Sequence, residues 1–453
     1  MRRIKKALCM VLTAGLVLGS APCGVDAATD TKVGKKAGIS LTVKADGEYI
    51  NWDGVSNVSE FKNKDGYYCF AYKSGKNVIV CQTKSGAVNK KITLPLKGTV
   101  VGGVTCDSSG YYYVVSGKTN TGSDRSTSTV YITKYSSKGK LIKTVGDDGR
   151  SSLAYYYDDS FNTKTPFSGG GCDIAINGNL LAVNYARTMY SDHQSNSVFA
   201  INTKTMKKVN YEGIYNSHSF GQRAAALGNG FIFASEGDCY SRAFTITKTD
   251  SSKVLYNSDI FSFWVKENAL NNWDMWTLNN NFAHIGDLAV IDKNTVAFMG
   301  TSAKSLSSKA ASEKEQVFVQ IFNPNKNIES KSAYITSGTR TGLGGPNGDE
   351  KVTDYGVKWL TTSSKYTYSH PQMVYDKNGH IVVLFELYSG SSYKGVYYIT
   401  LNKSGKVVKK MQQFSKTAKL NPCETPVVVG KTIYWTANRT SGKKLYNFRL
   451  KIN

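Results

Sequence analysis

Three of the five histidines in the chain share a setting. His218 opens the stretch HSFGQR, His284 opens HIGD and His370 opens HPQM. Each imidazole stands just ahead of a short apolar run and is followed closely by an amide or a carboxylate, Gln222, Asp287 or Gln372. Side chains of these types do one of three things. They brace backbone groups between neighbouring elements. They converge on a transition metal, for which His218, His284, His370 and Gln372 are the candidate ligands. Or a histidine of near-neutral pKa works without metal, with Tyr190 or Arg187 beside it, to neutralise a carboxylated substrate and move its proton. His193 is placed to join that group. Every one of these readings requires the chain to bring distant segments to one place.

The stretch from His218 to Lys248 shows the building unit. It reads as an apolar strand at Arg223–Leu227, an Asn229–Gly230 turn, a second strand at Phe231–Ser235, a polar loop and a third strand at Ala243–Thr247. Asn-Gly between apolar runs is a strong hairpin signal, because both turn positions accept positive φ. The same order recurs behind turns at Asp65–Gly66, Ser109–Gly110, Asn177–Gly178, Lys293–Asn294, Asn378–Gly379 and Gly430–Lys431. Their spacing, roughly 45 to 85 residues, is that of four-stranded blades carrying loop insertions. Runs such as YYCFAY, LLAVNY and IVVLFEL are rich in β-branched and aromatic residues, and Phe261–Leu270 alone has helical periodicity. The expected fold is all-β: a single β-propeller of about seven four-stranded blades, spanning residues 39–453 after a linker at 28–38. The last unit stops after three strands, at Glu424–Val429, Thr432–Ala437 and Leu445–Lys451. The N-terminal strand Ile39–Lys44 is expected to supply the fourth and close the ring, removing an open sheet edge.

In a four-stranded meander the connections after strands two and four share one side of the ring, and the turns after strands one and three share the other. The long connections fall to the first side: Gly117–Ser128, Gly146–Pro166, Ala186–Ser197, Tyr256–Phe282, Thr301–Gln316 and Ser337–Ser369. Loops on a rigid scaffold carry function. These hold Trp264, Trp273, Trp276, Trp359 and the Tyr155–Tyr157 run, together with Arg187, Tyr190, Asp192 and His193, and the fourth unit adds Glu236, Asp238 and Arg242. Such rings stack on sugar faces or cover a partner, or else pack the insertions onto the scaffold. Innermost strands begin on the same side, so His218, His284 and His370 are expected to converge at the mouth of a central channel.

The chain opens with Arg2, Arg3, Lys5 and Lys6, an apolar run from Ala7 to Leu18 and a Val25-Asp26-Ala27 site. This is the pattern of a signal peptide over residues 1–27, cleaved after Ala27, with an apolar run too short to cross a bilayer. An exported protein without a transmembrane segment is expected. The formal net charge is +24. That excess favours polyanions, which for an exported protein are cell-wall polymers, acidic polysaccharides or anionic membrane surfaces. No nucleic-acid motif is present. Of eight cysteines, two lie in the leader. Cys69 and Cys81 flank a hairpin turn and face each other for a disulfide unless the register slips by one residue. Cys106, Cys172 and Cys423 read as buried thiols.

With the leader in view, the turn pattern resembles secreted bacterial β-propellers in general, over nearly the whole mature chain and through generic turn signals. At one place the likeness is narrower. His370, Pro371 and Gln372 resemble the HPQ segment of oligogalacturonate lyases, propeller enzymes whose histidines and a glutamine hold a divalent metal. That resemblance implies a metal near Gln372 and the imidazoles, and it covers those three residues. GxSxG, HExxH, a Walker loop and a Rossmann glycine pattern are all absent. The expected function is an exported propeller that binds an anionic or carbohydrate surface, such as an anionic polysaccharide or cell-wall polymer, or a protein partner, through its long-loop face. The alternative is a glycan-active enzyme, such as an acidic-polysaccharide lyase, that uses the histidines.

Overall fold

Alternating runs form strands where their side chains find two neighbouring sheets to pack between. The computed structural model describes residues 54–153, 157–237, 243–263, 282–305, 308–326 and 356–452, with short strand pieces at Thr31–Lys32, Thr42–Val43, Gly338–Thr341 and Asp349–Val352. Seven four-stranded antiparallel meanders follow one another along the chain, the third extended by an extra strand at Thr163–Pro166. Their first strands are Val58–Lys62, Val100–Cys106, Cys172–Asn177, Gln222–Leu227, His284–Asp292, Thr367–Tyr375 and Val427–Val429. Each of these touches the first strand of the next sheet, and the seventh returns to the first. A closed cycle of innermost strands defines a seven-bladed β-propeller.

Apolar layers fill the gaps between blades. Phe244 and Phe261 of the fourth blade meet Phe298 and Phe318 of the fifth, with the rings of Phe261 and Phe318 stacked at 4.3 Å. Phe414 of the sixth packs on Trp435 of the seventh at 4.7 Å. The backbones also approach closely: a Cβ on Gly221 would stand 1.8 Å from Ile285 Cγ2, so no larger residue fits there. Around the inner ring, polar side chains of one first strand accept from backbone N–H groups of the next blade. Ser59 takes Val104 N (3.0 Å), Asp173 takes Ala224 N (2.8 Å), Asp287 takes Met373 N (3.0 Å) and Glu424 takes Glu60 N (3.1 Å). These bonds satisfy inner-edge donors that no further strand can pair.

The structure corrects several expectations. The strand on the outer edge of the seventh sheet is Thr31–Lys32, which pairs with Tyr446 and Asn447; Thr42–Val43, inside the segment expected to close the ring, pairs instead with Val55–Ser56. Both are short extended pieces, and register against the last strand decides between them. In the fourth blade the hairpin turn is Gly228–Asn229, because Leu227 pairs with Gly230. Gly228 has φ 59°, and glycine at the first central position belongs to a type II′ turn. The third-blade hairpin shifts in the same way, to Gly178–Asn179. Cys69 stands opposite Gln82 while Phe70 stands opposite Cys81, so the two thiols point to opposite faces of the sheet and both are free. The fourth strand of the fifth blade is Lys358–Trp359, so the long insertion there runs over residues 323–357, between strands three and four, and leaves from the short-turn side. The segment 186–197 is mostly strand, with Leu180–Met189 and Gln194–Asn202 meeting across a tight connection. The other long connections leave and rejoin their sheets on the expected side.

Candidate functional site

The long-loop side is also where the first strands begin, and their entry is sharp. His218 (φ 51°), Phe282 (φ 52°) and His370 (φ 49°) adopt left-handed backbone at or just ahead of the first strands of blades four, five and six. Non-glycine residues rarely do so. The three imidazoles do not form one ring. They form two pairs. His218 lies buried beside the exposed His193, with ring centroids 6.4 Å apart, and its backbone N–H donates to Gln194 O. Burial, and then the neighbouring His193, lower the His218 pKa. His284 pairs with His370. His284 is exposed, and desolvation by the protein beside it, followed by the charge of His370, lowers its pKa.

His370 belongs to a larger group that includes residues not singled out from the sequence. Its Nδ1 lies 3.4 Å from Oε2 of Glu386, on the second strand of the same blade. The same carboxylate oxygen accepts from Lys419 Nζ (3.1 Å) and Tyr388 Oη (2.7 Å), and Oε1 accepts from Leu420 N (2.9 Å). Burial alone would raise the Glu386 pKa. The close approach of His370, the charge of Lys419 and the Leu420 N–H overcome it and bring the value down to about 2. Lys419 in turn lies 3.9 Å from the centre of the Tyr393 ring, a cation–π contact. The signal for Glu386 is visible afterwards: it is the single charged residue in the apolar run IVVLFEL. An acid in such a run needs partners.

Tyr393 is a shared wall. Its other side borders a groove of about 520 Å³ on the same blade, lined also by Tyr366, Tyr397, Lys394, Gln413 and Lys416. Tyr393, Lys394 and Lys416 follow connections on the long-loop side. Aromatic rings with amines and an amide between them suit a polar, ring-shaped anionic ligand.

A second titratable group lines the inner ring. Burial, Arg223 and the neighbouring Asp287 act on Asp173 and leave its pKa at about 6, and burial pushes Glu60 to about 8. Arg223 also stands 3.9 Å from Asp287. These carboxylates hold backbone groups of adjoining blades, which makes them struts.

Other candidates are placed as follows. Arg187 is fully buried, bonded to Ser195, Gly149 O and Thr163, and so is a strut of the third blade and not a ligand-facing group. The hydroxyl of Tyr190 is engaged by Asn120, and Arg125 lies over its ring, tying it to the second blade rather than to a histidine. Glu236 is buried near Gly221. Trp359 is in a strand and packs against Phe318 at 5.5 Å, so it is part of the fifth blade and not an exposed loop ring. Gln222 donates to Ser219, and Gln372 donates to Asn421 O. Trp264, Trp273, Trp276, Asp238 and Arg242 lie outside the described residues. The Gln372 Oε1 is buried without an acceptor role, which suits a ligand. However, among the described residues no group of three or more His, Cys, Asp or Glu stands close enough to hold a metal. The metal set read from the HPQ resemblance therefore does not fit this arrangement, because its imidazoles are split between two blade junctions.

No family model matches the sequence, and no curated protein is significantly similar to it. Solved structures of similar shape include the RRP9 WD40 repeats, at 10% identity and TM-score 0.44, covering 92% of this chain and 99% of that one. The Dos1 propeller gives 6% identity and TM-score 0.43 over 95% and 96%. A protein of unknown function from Dyadobacter fermentans gives 9% and 0.41 over 81% and 96%. At these scores the fold rests on the closed ring of sheets itself.

Proposed function

We propose that this is an exported propeller that binds an acidic carbohydrate through its long-loop side, with the groove on the sixth blade as the principal contact. The observation that carries this reading is the joining of three tyrosines, Gln413 and the amines of Lys394 and Lys416 in one open groove. Tyrosine rings match the apolar faces of sugars, and the amines match uronate carboxylates. The strongly basic chain would raise the local concentration of such ligands. Calorimetric titration with oligogalacturonate is the test. Binding should weaken as salt rises, and Lys394→Ala with Lys416→Ala should weaken it at least ~5-fold, the loss of about 1 kcal/mol. Equal binding of a neutral oligosaccharide, or indifference to the lysine changes, would sink the proposal.

A second reading is supported by His370. Its Nδ1 stands 3.4 Å from the Glu386 carboxylate, and His284, whose pKa is lowered, is the neighbouring base. On this reading the groove delivers an acidic glycan to a lyase-type proton abstraction. Unsaturated products should accumulate with uronate polymers and disappear in His370→Ala. Lack of product from the unaltered chain rejects it.

A further inference from the structure

The other side of the disc carries an exposed lysine on every blade. We propose that the short-turn side is a docking face for an anionic lipid surface, independent of the long-loop groove. The turns after strands one and three present at least one exposed lysine on every blade. Lys64, Lys138, Lys204, Lys253, Lys293 and Lys377 represent the first six blades, and Lys431 the seventh. Among the described residues, the exposed or half-exposed carboxylates of these turns are Asp65, Asp250 and Asp292, whereas Asp107 and Asp376 are buried as turn caps. Lys64 meets Asp65 at 3.8 Å on this face, and on the long-loop side Arg125 meets Asp159 and Lys164 meets Asp192.

Charge alone fits any polyanion. The apolar residues choose between them. Leu141 (48% exposed) and Ile142 (48%) begin the outer strand of the second blade. Leu255 (46%) is the second residue of the outer strand of the fourth, and Val407 (41%) and Val408 (49%) begin that of the sixth. Outer strands start on the short-turn side, so these side chains form three apolar corners on alternate blades, at the rim of the lysine-bearing face. A dissolved polymer offers nothing for such corners to enter. A bilayer surface offers headgroup phosphates to the lysines and acyl boundary to the aliphatic side chains. Three corners on one rim would turn this face to the lipid and leave the groove of the sixth blade pointing away from it.

The test uses the purified chain and sedimentation with vesicles of phosphatidylcholine, with and without phosphatidylglycerol. Binding should require phosphatidylglycerol and fall with salt. Lys138→Glu, Lys253→Glu and Lys377→Glu should each weaken it ~5-fold or more, with unchanged thermal unfolding as the folding control. Leu141→Ser combined with Val408→Ser should weaken vesicle binding while leaving retention on soluble polyglutamate unchanged. Lys394→Ala should leave vesicle binding unchanged, which separates this face from the groove. The proposal is overturned if anionic vesicles do not bind at low salt. It is also overturned if polyglutamate binds as well as vesicles and the serine changes affect neither, which would make the face a polymer-binding surface.

Discussion

His370 Nδ1 lies 3.4 Å from Glu386 Oε2, and that carboxylate is 1% exposed. The pair joins a half-open imidazole on the innermost strand of the sixth blade to a buried anion, which Lys419 and Leu420 N also hold. The anion thus links the sixth blade to the loop that enters the seventh.

The acid limb of stability should report this anion. Its folded pKa, about 2, lies below the ordinary 4.5, so the unfolded chain takes up the proton first as pH falls. The stabilisation is complete above pH 4.5 and is lost as pH falls through about 2. Glu386→Gln should be less stable at pH 7 by about 1–3 kcal/mol, with a flatter decline below pH 4.5. Urea midpoints measured across that range check this, and parallel declines in parent and variant would refute it.

Glu60 works in the opposite sense. Its folded pKa of about 8 lies above the ordinary value, so its contribution is full below pH 4.5 and is lost as pH rises through about 8. Its oxygens face Tyr68 Oη, Thr436 N and Asn421 Nδ2, all within 3.4 Å. An amide can replace the protonated acid there, donating to Tyr68 Oη. Glu60→Gln should therefore match the parent near pH 4 and exceed it increasingly up to pH 8 in thermal unfolding. A constant difference across that range would show that Glu60 is not protonated in the fold.

Asn421 ties three blades together. Its Nδ2 donates to Val58 O (2.7 Å), its Oδ1 accepts from Ser56 Oγ (2.9 Å), and its carbonyl accepts from Gln372. Asn421→Ala removes these side-chain bonds, while Ser56 Oγ still donates to Val58 O (2.7 Å), and should cost about 1–2 kcal/mol. Chemical denaturation measures it, and a cost below about 0.5 kcal/mol would mean that the junction relaxes freely.

Cys69 and Cys81 should remain thiols under oxidising conditions. They point to opposite faces of one sheet, and burial pushes their pKa values to about 12 and 11. Reductant should leave the unfolding temperature unchanged, and a thiol reagent should label both only after denaturation. A fall in unfolding temperature on reduction would contradict the register.

The repeat was legible because each blade must solve the same local problem. Two-residue turns need glycine or asparagine, and strands between two sheets need apolar alternation, as in FIFAS or YYYVV. The turn at Gly228 was misplaced by one residue because Gly-Asn-Gly permits two hairpins, and only pairing of Leu227 with Gly230 selects one. Arg187 looked like a ligand-facing group because its strand runs on past the point where the apolar pattern ends.

The periodic order of turns and apolar runs determined the seven sheets and the side on which their histidines would emerge, since backbone conformation and strand-face burial act over a few residues. The pairing of His284 with His370, the anion of Glu386 beneath them and the separate union of His193 with His218 were decided by the tertiary structure. Those contacts join residues on different strands and connections, and their geometry depends on strand pairing and on how one sheet packs on the next, which no local pattern encodes.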